Sequence, residues 1–258
     1  MTSSMKAALV AATVLVAAAS TAHAASVDFT TLTVNGSAFA IDANTLQLTD
    51  AIGGEAGSAF LAPISSNSTF TSSFTFTSAG TDFDPQADGI TFIIQNDPAG
   101  ANALGTGGGG VGAADLTNNL GIGLRSWDNN HATIFTEGDV FNGTQPLGNF
   151  NLGDQDDVVD VTLAYDGSLF SYTAFNHTTG FSISDSFAFD LTTLGPKVYL
   201  GFTGGTGLSY ATQQIHDWDL DVQGGAGVPE PAAWALMLIG FAGMGTALRR
   251  RRRLFSAA

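Results

Sequence analysis

The sequence contains no cysteine, so no disulfide framework can hold it and its core must supply the stability. Bases are almost as scarce: of eight Lys and Arg residues in 258 positions, only Arg125 and Lys197 lie between residues 25 and 227. Against them stand 22 acids, giving that span a formal charge of −20. Such a field repels nucleic acid and anionic lipid and favours cations such as Ca²⁺, so a polynucleotide partner is excluded. Helical periodicity is missing from the same span. Glutamate is nearly missing too, since only Glu55 and Glu137 occur there, in unrelated contexts. Retaining glycoside hydrolysis needs two carboxyls about 5 Å apart, commonly carried at fixed spacing along one strand. No such pair is present, nor any Ser-His-Asp or metal-hydrolase motif. A glycoside hydrolase is therefore the weakest of the readings considered.

What is present divides by composition. Residues 1–24 follow the plan of a signal peptide, with Lys6 before the apolar stretch Ala7 to Ala19 and a small-residue cleavage site at Ala22-His23-Ala24. The mature chain is expected to begin at Ala25, and the working domain to cover residues 25–223. Residues 224–228 form a small-residue linker. Residues 229–253 then read Pro229-Glu230-Pro231, an apolar run of 17 residues from Ala232 to Leu248, and Arg249 to Arg253. As a helix that run just crosses a hydrocarbon layer of roughly 30 Å. The arginines hold its end in the cytoplasm and leave the body on the outer face.

This tail resembles the PEP-CTERM sorting signal of Gram-negative bacteria, with Pro229, Glu230 and Pro231 as its tripeptide. The resemblance implies an inner-membrane intermediate, cleavage by an exosortase and transfer to the cell surface or exopolysaccharide matrix. A permanent single-span anchor is the alternative.

Within the body, runs of four to eight residues alternate apolar with small polar positions and are bounded by glycine, asparagine or aspartate. The spacing predicts strands at Thr69 to Thr77, Gly89 to Gln95, Val158 to Tyr165, Leu169 to Ala174, Phe181 to Phe189 and Val198 to Thr203, with Asp166-Gly167 as a hairpin turn. Many short strands with frequent turns indicate an all-β antiparallel sandwich or barrel in one domain, with phenylalanine as the main core residue. The glycine-rich stretch Leu104 to Gly112 has the look of a phosphate cradle. No Lys-Ser/Thr follows it, no helix begins and the field is negative, so nucleotide binding is not expected.

Four stretches in order carry more: Ala87-Asp88-Gly89 opening a strand, Gly107 to Gly112 (GGGGVG), Leu120 to Asn130 (LGIGLRSWDNN), and Val198 to Gly207 (VYLGFTGGTG) continuing to Trp218. Together they resemble the L-type, or legume-type, lectin domain, a concanavalin-like jelly roll that binds sugars. On that resemblance Asp88 accepts from two sugar hydroxyls, the Gly109 N–H donates to a hydroxyl, and Asn129 reaches the sugar with its amide. Leu208 and Ser209 fall in the loop that tunes specificity. The resemblance also implies calcium, with Trp127, Asp128 and Asn129 as candidate ligands, and places His131 where the family has a metal histidine.

The sequence departs from the pattern where the family strand presents acids, for Gly123 and Arg125 stand at those positions. A guanidinium cannot ligate Ca²⁺, which needs several oxygens. A second possibility is that Arg125 pairs with Asp88 or Asp128 and holds the loop without metal. The resulting expectation is an exported, non-catalytic glycan-binding protein. A structural matrix or adhesin protein, keeping the fold without sugar binding, stands as the alternative.

Overall fold

The computed structural model describes residues 24–79, 86–127, 131–141, 144–146, 150–152 and 156–224. The sorting tripeptide and the expected membrane span lie outside these residues. Among the described residues no helix is long and apolar enough to cross a membrane.

The chain runs through β1 (Ala25–Ser26), β2 (Thr33–Gly36), β3 (Phe39–Ala40), β4 (Thr45–Thr49), β5 (Ala56–Phe60), β6 (Ile64–Ser65), β7 (Thr69–Ala79), β8 (Gly89–Gln95), β9 (Asn119–Arg125), β10 (His131–Thr136), β11 (Thr144–Pro146), β12 (Asp157–Tyr165), β13 (Leu169–Asn176), β14 (Phe181–Ala188), β15 (Lys197–Gly205) and β16 (Thr212–Gln223). These form two antiparallel sheets. The back sheet has the order β14-β13-β12-β7-β16-β4-β3 with β1 on β16, and the front sheet the order β11-β10-β9-β8-β15-β5-β2 with β6 on β15. Only short 3-10 turns interrupt the strands among the described residues. The expected all-β antiparallel sandwich is the fold.

Alternation explains the back sheet. Along β7, Phe70, Ser72, Phe74 and Phe76 are buried, and along β12, Val159, Val161, Leu163 and Tyr165 are, while the alternate residues face outward. Between the sheets Phe74, Phe92, Phe202 and Trp218 interlock. Phe202 lies 4.8 Å from Phe74, 5.5 Å from Phe92 and 4.8 Å from Trp218, ring centre to ring centre and edge to face. The Trp218 indole N–H donates to the Ser72 hydroxyl at 2.8 Å, so the largest core side chain leaves no polar atom unsatisfied. The Asp166-Gly167 turn forms as expected, because the Asp166 carboxylate accepts from the amides of Ser168 and Leu169 at 2.9 and 2.8 Å.

The front sheet is different. Strands β8 and β9 are buried along their whole length, on both faces. Their second face belongs to a smaller apolar cluster in which Phe60, Ile93 and Phe135 of the sheet pack with Val111 and Leu116 of the segment that joins β8 to β9 and with Val140. Polar side chains from the sheet fasten that segment down. Asn35 donates to the Ala101 carbonyl at 2.9 Å, Ser58 to Ala103 at 2.7 Å, Gln95 to Gly100 at 2.8 Å and Thr203 to Val111 at 2.7 Å. A loop can cover a sheet only if its carbonyls find such donors.

Phe202 contacts three core rings at once, so Phe202→Ala is expected to cost about 3–5 kcal/mol of unfolding free energy. Denaturant titration monitored by tryptophan fluorescence checks this.

Candidate functional site

The covering segment ends at one rim of the front sheet, where four stretches of chain meet around Thr206, just past the end of β15. Thr206 is buried and bonds in every direction. Its amide donates to the Glu55 carbonyl at 3.0 Å, and its hydroxyl donates to Ile52 at 2.6 Å while accepting from the Glu55 amide at 2.9 Å. Its carbonyl accepts from Gly54 at 3.1 Å and Gly108 at 2.9 Å. The β4–β5 loop and the glycine-rich loop are thereby tied to the start of the β15–β16 turn.

Asp88 sits in the middle of this junction, immediately before β8. Its amide donates to Gly205 at 3.0 Å, and its carbonyl accepts from Ser126 at 3.1 Å and Trp127 at 3.5 Å. The backbone is held on both sides, and the Ala87–Asp88 peptide is cis. The side chain is only 4% exposed, yet its Oδ2 accepts no hydrogen bond among the described residues. The nearby Gly207 amide is directed to the Ser209 carbonyl at 3.1 Å. Burial pushes the carboxyl up to about 6, against the opposing pull of the Arg125 charge and the Gly207 amide dipole.

Two glycines here lie close against neighbouring side chains. A Cβ on Gly207 would stand 3.1 Å from the Asp88 Oδ2, and one on Gly109 would stand 3.1 Å from the Arg125 Nη2 and 3.5 Å from the Phe141 ring. A side chain at either position would press on the Asp88 carboxylate or the Arg125 guanidinium, which would have to give by a few tenths of an ångström.

Arg125, the last residue of β9, is 2% exposed. Its Nη1 donates to the Val140 carbonyl at 3.2 Å and its guanidinium carbon lies 4.9 Å from the centre of the Phe141 ring. Exposed apolar side chains surround the locus: Trp127 at 41%, Phe141 at 57%, Ile52 at 58% and Leu208 fully open at the tip of its turn.

The structure thus brings Asp88, Gly109 and the Leu208–Ser209 turn to one rim, with Trp127 beside them. Asp128 and Asn129 lie outside the described residues. Sequence reasoning did not single out Ile52, Thr206, Gly207 or Phe141. Gly207 ends a quoted motif, but Phe141 and Ile52 stand in segments without periodicity and carry no local signal.

Among the described residues no group of three acidic, histidine or cysteine side chains gathers that could hold a metal ion. The place where the resemblance puts an acidic ligand is filled by the Arg125 guanidinium, already committed to Val140 and Phe141. A guanidinium cannot itself ligate calcium, which requires converging oxygens; Asp128 and Asn129, the candidate side-chain ligands, lie outside the described residues. In the acidic stretch Asp154 to Asp160, the described residues point apart: Asp157 is buried and accepts from Asn176 at 3.1 Å, whereas Asp160 faces outward to His177 at 2.7 Å.

Two face-packed antiparallel sheets, with several loops meeting at one rim, define the class as a lectin-like β-sandwich. A legume lectin domain model matches residues 21–233, and the chain belongs to that family. A PEP-CTERM protein-sorting motif matches residues 227–253 and indicates export by way of a membrane-anchored intermediate. No curated protein matches the chain. Among solved structures, peanut lectin with a nine-residue peptide is 21% identical over 75% of this chain and 92% of that one, with a TM-score of 0.64. Lectin II from Ulex europaeus is 20% identical over 75% and 93%, also at 0.64. The lectin from Bauhinia forficata in complex with GalNAc is 23% identical over 75% and 93%, again at 0.64.

The raised Asp88 pKa has a stability consequence of definite sign. The folded state holds the proton more tightly than the unfolded chain, so the contribution is favourable below the unfolded value of 3.8 and is lost as pH rises through about 6. The loss is at most about 3 kcal/mol. Asp88→Asn should remove that component, and the difference in unfolding free energy between wild type and variant, measured from pH 4 to pH 7, checks it.

Proposed function

We propose that this chain is a non-catalytic carbohydrate-binding protein, carried by exosortase processing to the cell surface or the exopolysaccharide matrix. The observation that carries the reading is the Asp88 carboxylate, nearly buried, with its Oδ2 unpartnered among the described residues, beside a side-chain-free loop. A buried acceptor left open is costly unless a ligand satisfies it, and two vicinal sugar hydroxyls are donors of the right kind.

In this reading Asp88 accepts from the hydroxyls, the Gly109 N–H donates to one, and Asn129 adds a carboxamide. Trp127 and Leu208 offer apolar surface to the C–H face of the ring, and Ser209 supplies a hydroxyl at the specificity turn. The body's charge of −20 favours neutral or basic glycans over polyanions. Delivery to a polysaccharide matrix makes cohesion or capture the use of such binding. Absence of catalysis belongs to the same proposal, supported by the lectin-domain match and by the lack of a strand-borne carboxylate pair.

A second reading, a structural matrix or adhesin protein without sugar binding, is favoured by one observation: a buried Arg125 occupies the place of an acidic ligand.

A glycan array probed with residues 25–227 tests the two. The expected result is binding to a neutral saccharide, at least tenfold weaker for Asp88→Ala, since loss of a hydrogen bond to a charged group is worth about 1.5–3 kcal/mol. Affinity should rise as pH passes upward through about 6, where Asp88 ionises. Absence of binding, or binding indifferent to Asp88→Ala, favours the structural reading. Release of reducing sugar from a polysaccharide panel would overturn the non-catalytic assignment.

A further inference from the structure

Arg125 carries a fixed positive charge into a site whose family resemblance implies a bound cation. We propose that its guanidinium does the positioning work of that ion: it holds the glycine-rich loop, the Val140–Phe141 segment and β9 in fixed relation, so that the rim is ordered without a divalent metal.

Two contacts and one close approach support this assignment. The Nη1 donates to the Val140 carbonyl at 3.2 Å. The Nη2 stands 3.1 Å from the point where a Gly109 Cβ would project, which places it directly over that loop. The guanidinium carbon lies 4.9 Å from the centre of the Phe141 ring. One planar group therefore contacts the Val140–Phe141 segment and lies close to the glycine-rich loop.

The stem of the side chain has room for this course. Even a Cβ on Gly123, the residue two positions back on the same face, would lie 3.8 Å from the Arg125 Cγ, an ordinary van der Waals contact. The surrounding field, −20 over the body, favours a cation at this place whether it is an ion or a side chain.

A guanidinium presents a rigid fork of donors that suits carbonyl oxygens and stacks on a ring, whereas an ammonium is a compact, strongly hydrated point charge. Arg125 is in this sense a positioning residue. It is not required to touch a sugar.

The inference rests on the proposed function only for the purpose such order serves, and its test reads order without any glycan. The full chain, purified in mild detergent, is treated with excess EDTA and then with excess Ca²⁺ and Mn²⁺. Thermal melting and amide hydrogen exchange are followed. Melting temperature and exchange in residues 105–112 and 138–141 are expected to be unchanged by either treatment. Arg125→Lys keeps the charge but loses the fork, and is expected to raise exchange in both segments roughly ten- to a hundredfold, with β7 and β12 unaffected.

A fall in melting temperature on chelation, or full protection of both segments in Arg125→Lys, overturns the proposal. The chelation arm uses the unaltered chain and decides the question even where Arg125→Lys does not fold. A chain that shows the expected pattern but binds no saccharide retains this inference and loses the carbohydrate reading. One that binds saccharide only with added calcium does the reverse.

Discussion

A sheet face that meets neither solvent nor a second sheet has to be covered by chain whose own amides and carbonyls are satisfied. The outer face of the front sheet is such a face, and the rim depends on how it is covered. No helix is available among the described residues, so an irregular segment lies on Phe60, Ile93 and Phe135 and is stitched down by Asn35, Ser58, Gln95 and Thr203. Those polar residues on an otherwise apolar surface are what let the glycine-rich loop arrive at the rim at a fixed height. Thr206 then locks it to the neighbouring loops.

Much of this was legible beforehand, for reasons that can be named. Period-two alternation fixes which face of β7 and β12 is inward, and the strand expected at Gly89 to Gln95 has those bounds. The flanking strands ran a residue or two beyond expectation, β7 to Ala79 and β13 to Asn176, because cross-strand pairing extends past the point where alternation is visible. Asp217, Asp219 and Asp221 read as one wet face of a regular strand. In the fold a register shift falls between His216 and Asp219, and Asp217 adopts a positive φ of 50°. A bulge depends on the partner strand and leaves no mark in its own sequence.

The rim was legible only where motifs named it. Asp88 and the glycines stood out by resemblance, while Arg125 was recognised as a departure whose burial could not be foreseen, since a lone arginine is ordinarily exposed. Its surroundings supply the explanation: Val140 and Phe141, which it contacts, come from a segment with no periodic signature. Burying an acid beside it works against the fold, since desolvation outweighs the attraction of the arginine at Asp88. Local destabilisation of this kind is common where a protein keeps a group ready for an outside partner.

The turn at Leu208 closes on itself through the Gly207 amide and the Ser209 carbonyl, and the leucine side chain touches little else. Everything the sandwich needs from that turn is backbone. The exposed residue can therefore be exchanged for almost any other, and the scaffold beneath it feels almost no cost.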